Sequence, residues 1–246
     1  MREWSNSESI VRRALAIDPH EVVGMRTLLL SIVNGRGDIQ EAVRVLASYP
    51  SDKLIVNSNV GHVTGVTGER AYTFVLARDY QAALKVWDGA ASTAADERRQ
   101  LSARVAIRVI AGDLAGAQAD AQRARPLLEQ WLRDRPNEIL TKTELSWVYL
   151  ALKRNAEAVK LARQSAAFLP SEKDALVGDH NLLGQATIAS QTGAVAEAVA
   201  ILRRLLSVPA GLAVSIARLK IDPVWDPIRN DPQFQQLLTT KEHIGP

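Results

Sequence analysis

The stretch Thr143-Glu144-Leu145-Ser146-Trp147-Val148-Tyr149-Leu150-Ala151-Leu152-Lys153-Arg154-Asn155-Ala156-Glu157-Ala158 decides the fold. An apolar helical segment gives way to a polar turn, then to an acidic residue, an alanine and a second helix that ends at Leu169-Pro170. The same turn recurs as Gly37-Asp38-Ile39-Gln40-Glu41-Ala42, Arg78-Asp79-Tyr80-Gln81-Ala82-Ala83, Gly112-Asp113-Leu114-Ala115-Gly116-Ala117 and Gly193-Ala194-Val195-Ala196-Glu197-Ala198. Self-similarity at such a period is the mark of a repeat architecture. The closing alanines, Ala42, Ala83, Ala117, Ala158 and Ala198, stand 41, 34, 41 and 40 residues apart.

Twelve residues before each of these alanines stands Leu30, Ala71, Val105, Ser146 or Ala186. In a pair of helices the two positions meet at the closest crossing, where small side chains let the axes approach to about 8–10 Å. Ala71 with Ala83, Ser146 with Ala158 and Ala186 with Ala198 fit this requirement. Leu30 and Val105 are bulkier and predict looser or shifted packing in the first and third pairs.

Counting outward from these markers, paired helices are predicted near 20–34 and 38–48, 65–77 and 79–90, 96–111 and 114–124, 138–152 and 155–168, and 179–192 and 194–206. Ser9–Ile17 reads as the second helix of a pair whose first is missing. Residues 1–19 are thus an incomplete repeat, 20–210 the repeats proper and 211–246 a C-terminal capping segment. Pro126 has no N–H and its ring crowds the preceding turn, which predicts a kink or restart and an added helical piece to about residue 134. Residues 51–70, with Val60-Gly61-His62-Val63-Thr64-Gly65-Val66-Thr67-Gly68 among them, carry no assignable pattern.

Composition agrees with helices throughout. Of 246 residues 36 are alanine, while aromatic residues make up only 5%, and Ala is the strongest helix former. There is no cysteine, so disulfides, thiolate metal sites, iron–sulfur clusters and cysteine nucleophiles are excluded. The lack of cysteine suits a reducing compartment and gives a cytoplasmic expectation. Net charge is +3 with no run of five like charges, so direct nucleic-acid binding by simple attraction is not expected. No apolar run approaches the roughly 20 residues of a spanning helix, so no membrane association is expected.

Catalytic chemistry has no constellation to stand on. His20, His62, His180 and His243 are scattered, without the i, i+4 spacing that places two ligands on one helix face. Asp179-His180 lies at a helix start, where Asp reads as the cap. Gly61, Gly65 and Gly68 invite a phosphate-loop reading, but no Lys-Ser/Thr pair follows them, and a connector is the better reading. The expectation is a protein that is not an enzyme, with no cofactor and no metal.

The C-terminus has its own pattern, Asp222-Pro223-Val224-Trp225-Asp226-Pro227-Ile228-Arg229-Asn230-Asp231-Pro232-Gln233-Phe234. Three Asp-Pro steps read as helix starts, with Asp as N-cap and Pro at the first helical position. The product would be two short turns and a helix from Pro232 to about Thr240, with Trp225, Ile228, Phe234 and Leu237 covering the apolar face of the fifth pair.

The fourth unit resembles the tetratricopeptide motif: Leu145, Ser146, Tyr149, Ala158 and Pro170 stand at its leucine, small, aromatic, alanine and proline positions. The 34-residue spacing from Ala83 to Ala117 equals that motif's period. Elsewhere Arg108 and Ala189 replace the aromatic residue, and Tyr49 and Leu205 a late small one. The run Phe168-Leu169-Pro170-Ser171-Glu172-Lys173-Asp174-Ala175, the run Arg204-Leu205-Leu206-Ser207-Val208-Pro209-Ala210-Gly211-Leu212 and the Asp-Pro ending are together similar to the C-terminal tetratricopeptide half of bacterial signalling proteins. In that family such repeats follow winged-helix, serine/threonine kinase or nucleotide cyclase domains.

The resemblance implies an all-α, tetratricopeptide-like solenoid of about five helix pairs with a short helical cap, acting as the interaction or sensor part of a signalling protein. A protein or peptide partner would lie in a groove lined by the first helix of each pair. Groove candidates, counted from the marker alanines, are Asn34, Tyr72, Arg99, Trp147, His180 and Gln191. Trp147 leads because aromatics dominate binding hot spots. The competing reading is a region of a nucleic-acid-associated transcriptional regulator.

Overall fold

The computed structural model describes residues 3–19, 21–48, 66–88, 94–174, 177–208 and 214–242. Among them every regular element is helical: α1 (Trp4–Ile17), α2 (Val22–Arg36), α3 (Ile39–Ser48), α4 (Val66–Leu76), α5 (Tyr80–Trp87), α6 (Ala94–Ile110), α7 (Leu114–Asp134), α8 (Ile139–Ala151), α9 (Asn155–Phe168), α10 (Val177–Gln191), α11 (Val195–Ser207), α12 (Ile216–Ile221), a 3-10 turn (Pro223–Ile228) and α13 (Pro232–Leu237).

The five recurrent turns are built alike. Five described residues have positive φ, Gly37 (69°), Arg78 (60°), Gly112 (76°), Lys153 (61°) and Gly193 (78°), and each stands five positions before its marker alanine. In four of the turns two bonds close back over the preceding helix. The amides of Arg78, Gly112, Lys153 and Gly193 donate to the carbonyls of Val75, Val109, Leu150 and Ser190, and the amides of Asp79, Asp113, Arg154 and Ala194 to those of Phe74, Arg108, Tyr149 and Ala189. This is the Schellman arrangement, which satisfies carbonyls a helix end would leave bare. Gly37 makes the simpler single bond, to Val33 O at 2.9 Å.

The second helix then starts at once. Asp38, Asp79 and Asp113 each accept a backbone N–H three residues ahead, from Glu41, Ala82 and Gly116, at 2.9–3.0 Å. A cap of this kind stabilises a helix by about 1 kcal/mol. Ala42, Ala83, Ala117, Ala158 and Ala198 are all completely buried. Their partner positions Ala71, Val105, Ser146 and Ala186 are buried too, while Leu30 is only half-buried. Val105, although bulky, is accommodated with no exposed surface.

The chain divides into two compact units, one of Met1–Val86, Leu206–Pro223 and Leu238–Pro246, the other of Trp87–Leu205 and Val224–Leu237. In the first, α2 is central: it packs on α1, α3, α4 and α12. Its core is Met25, Leu28, Leu29, Ile32 and Val33 with Ala42, Val45, Leu46 and Leu76, and Val11, Leu15 and Ile221 close its sides. A Cβ on Gly35 would stand 2.8 Å from Trp4 Cβ, so the missing side chain is what admits the start of α1. In the second unit α8 touches α6, α7, α9 and α10. Leu101, Val105, Ala121, Ala124, Leu128, Leu145 and Val148 form one core cluster, and Ala158, Ala162 and Ile188 another.

Three local expectations are revised. Helix α1 begins at Trp4, not near Ser9, and packs on α2. Pro126 neither ends nor restarts a helix: α7 runs through it for 21 residues. Pro126 and Gln122, whose carbonyl loses its helical donor, are both exposed, so the ring stays in water and the carbonyl can be hydrated. At the C-terminus Pro223 and Pro232 do open helical turns, but Asp226-Pro227 lies inside the 3-10 turn. Asp226 pairs with Arg229 at 2.8 Å. Trp225, Ile228, Phe234 and Leu237 are buried, with the Trp225 and Phe234 rings stacked 6.3 Å apart.

Candidate functional site

The six candidate residues fall into different environments. Asn34 is 1% exposed, inside the core of the first unit. Gln191 turns its Nε2 to the Val224 carbonyl at 2.7 Å, which ties α10 to the 3-10 turn. Trp147 is half-buried and packs against both core clusters of the second unit. Arg99 on α6 and His180 on α10 are exposed. In the second unit α6 and α10 each pack on α8, so Arg99, Trp147 and His180 lie on three first helices joined through α8.

Tyr72 belongs to a buried polar network in the first unit. Its hydroxyl donates to the Asp222 carboxylate, 2.9 Å from either oxygen. Arg218 Nε donates to Asp222 Oδ2 at 3.4 Å, and its guanidinium lies 5.2 Å from the Tyr72 ring centre. Burial, with the Asp222 charge beside it, pushes the Tyr72 hydroxyl well above its ordinary pKa. Nearby, Arg26 Nε reaches Glu69 at 3.0 Å. The Asp222 carboxylate holds α12 to α4. A cleft beside this network is lined by Leu29, Leu30, Val33, Thr73 and Leu76 together with Tyr72, Glu69 and Arg218.

The most unusual electrostatics in the second unit fall on residues that sequence reasoning passed over. Arg98 of α6 is 2% exposed and pairs with Glu144 of α8. It also donates to Thr141 Oγ1 at 3.4 Å, and the Thr141 hydroxyl donates to Glu138 at 3.0 Å. Trp131 of α7 lies between two guanidinium groups, Arg98 at 4.6 Å and Arg135 at 3.8 Å from its ring centre. Its indole N–H donates to Glu138. Burial pushes the Glu144 carboxyl up to about 7, against the pull of Arg98 and Arg99. One signal was available: Glu144 is a lone carboxylate inside α8, Ile139–Ala151, an otherwise largely apolar helix.

Asp179, read as a cap, is buried in the first turn of α10 instead. The capping carboxylate is Asp174, which accepts from Val177 N at 2.9 Å. His20, His62, His243 and residues 49–65 lie outside the described residues. Among the described residues no group of three or more His, Asp or Glu side chains is placed to hold a metal ion, and no helix is long and apolar enough to cross a membrane. Compared with known proteins, the chain matches no family model and no curated relative. The geometry thus defines the class at its coarsest: among the described residues, an all-helical protein.

Proposed function

We propose that this protein is a tetratricopeptide-like scaffold that binds a peptide or protein segment along the first helices of its pairs, as the sensing part of a bacterial signalling protein. One observation carries the reading. Five turns with the same left-handed residue, each five positions before a fully buried alanine, repeat a single helix-pair module along the chain. Modules of this kind bury their apolar faces on neighbours and leave the first-helix surface for a partner. In the second unit Arg99 and His180 offer exposed polar contacts on that surface. Trp147 serves packing, so its truncation would confound binding with stability.

The test is selection of a random peptide display library on the intact protein. Enriched peptides should lose at least tenfold in affinity when Arg99→Ala and His180→Ala are combined, with the helical circular dichroism unchanged. No enrichment, or equal affinity for the double variant, would overturn the reading.

A further inference from the structure

Helix α1 has an apolar flank left in water. Its inner face, with Val11 and Leu15, closes the core around α2, and on one side Arg12 reaches Glu41 of α3. The opposite side carries Ile10, Ala14 and Ile17 at i, i+4 and i+7, a spacing that sets them in one stripe along the helix. Ile10 is 64% and Ile17 88% exposed, and Ala14 between them is exposed too. Arg13 borders the stripe. It is exposed, and among the described residues no carboxylate pairs with it, whereas Arg12 beside it is held by Glu8 and Glu41.

Helices of the second unit have such flanks filled. There α7 packs on α6 and α8, and α9 on α8 and α10, so each lies between two neighbours. Helix α1 packs closely on α2 alone. A small residue is also what the crossings at Ala117 and Ala158 use, both of them fully buried, and Ala14 between two isoleucines offers the same close approach to a helix. We propose that this stripe docks an amphipathic helix of a partner protein, laid along α1 as α6 and α8 lie along α7, with a carboxylate beside Arg13. Charge complementarity selects such a partner over a second copy of this chain. An antiparallel copy that set Ile10 on Ile17 would bring the two Arg13 guanidinium groups side by side on one rim, where they repel. An acidic helix gives Arg13 an ion pair and takes both isoleucines out of water, the helix-in-groove mode of recognition. The surface is separate from that of Arg99 and His180 and does not rest on the reading given to them.

The test uses the intact protein and a display library of helical peptides, each with an apolar stripe at i, i+4 and i+7 and a randomised residue beside it. Enriched peptides should carry Asp or Glu at the randomised position. Their affinity should fall by about tenfold or more when Ile10→Gln and Ile17→Gln are combined, with helical circular dichroism unchanged, since both side chains are exposed. Arg13→Glu should turn the selection from acidic to basic peptides, and Arg99→Ala with His180→Ala should leave it as it was. Sedimentation of the protein alone should show a monomer. No peptide that depends on Ile10 and Ile17, an acidic preference that is absent or survives Arg13→Glu, or a dimer that the two isoleucine substitutions dissolve would overturn the proposal.

Discussion

Tyr72 and Asp222 stand 150 residues apart in sequence and share a hydrogen bond at 2.9 Å. The bond closes the first unit, because it fastens α12, a six-residue helix, to α4. Asp222 is 2% exposed, so a lost donor cannot be replaced by water. Tyr72→Phe should therefore lower unfolding free energy by about 1–3 kcal/mol. Asp222→Ala should cost more, since it strands Arg218 as well. Urea denaturation of both variants, read by circular dichroism, checks the order.

The left-handed turn residues give a signed pair of predictions. Lys153 pays for a conformation that disfavours a Cβ, so Lys153→Gly should stabilise the protein by about 1 kcal/mol. Gly193→Ala should destabilise it by about 1–2 kcal/mol. A Cβ on Gly193 meets nothing within 4 Å, so that cost is backbone strain alone. Thermal unfolding should move in opposite directions for the two variants.

The fifth turn lacks the aspartate found in the first three. Ala194 occupies the position at which Asp38, Asp79 and Asp113 cap their helices. Ala194→Asp should supply the missing acceptor for the backbone N–H three residues ahead, that of Glu197. The expected gain is about 1 kcal/mol in unfolding free energy, measured by denaturant titration.

Stability should also carry the signature of Glu144. Its folded-state pKa of about 7 lies above the ordinary 4.5, so the folded protein binds the extra proton between those values. Stability is then greatest at the acid end of that window and falls as pH rises through it, levelling above about pH 8. The span is up to about 3 kcal/mol. Glu8, Asp113 and Glu197, held low by hydrogen bonds to Arg36, to the Gly116 amide and to Arg163, act in the opposite sense, at more acid pH. Unfolding curves at pH 5, 6, 7 and 8 should slope downward for the natural protein and lie flat over this range for Glu144→Gln.

How much of this was legible in the sequence depends on range. The turns were, because a left-handed residue, an aspartate cap and a small crossing residue are local demands met by nearby residues: Gly112, Asp113 and Ala117 state all three in six positions. Side-chain facing was not. Asn34 and Arg99 are both polar and both on first helices, yet one is core and the other solvent, a matter of rotation settled by neighbouring helices. Arg98 and Arg99 are adjacent and chemically identical, yet the first is buried against Trp131 and paired with Glu144 and the second is exposed. The bond from Tyr72 to Asp222 was not legible in the Asp-Pro pattern, because its two residues are remote in the chain.

Length in this protein varies away from the turns. From the left-handed residue to the buried alanine the count never changes, whereas α7 is 21 residues long where α3 is 10. In α7 the added residues lie beyond the crossing at Ala117 and the Asp113 cap, and shift neither. A foreign segment spliced after Asp134, among the exposed residues Arg135, Pro136 and Asn137, would therefore meet the tolerance that one spliced between Gly112 and Ala117 would not.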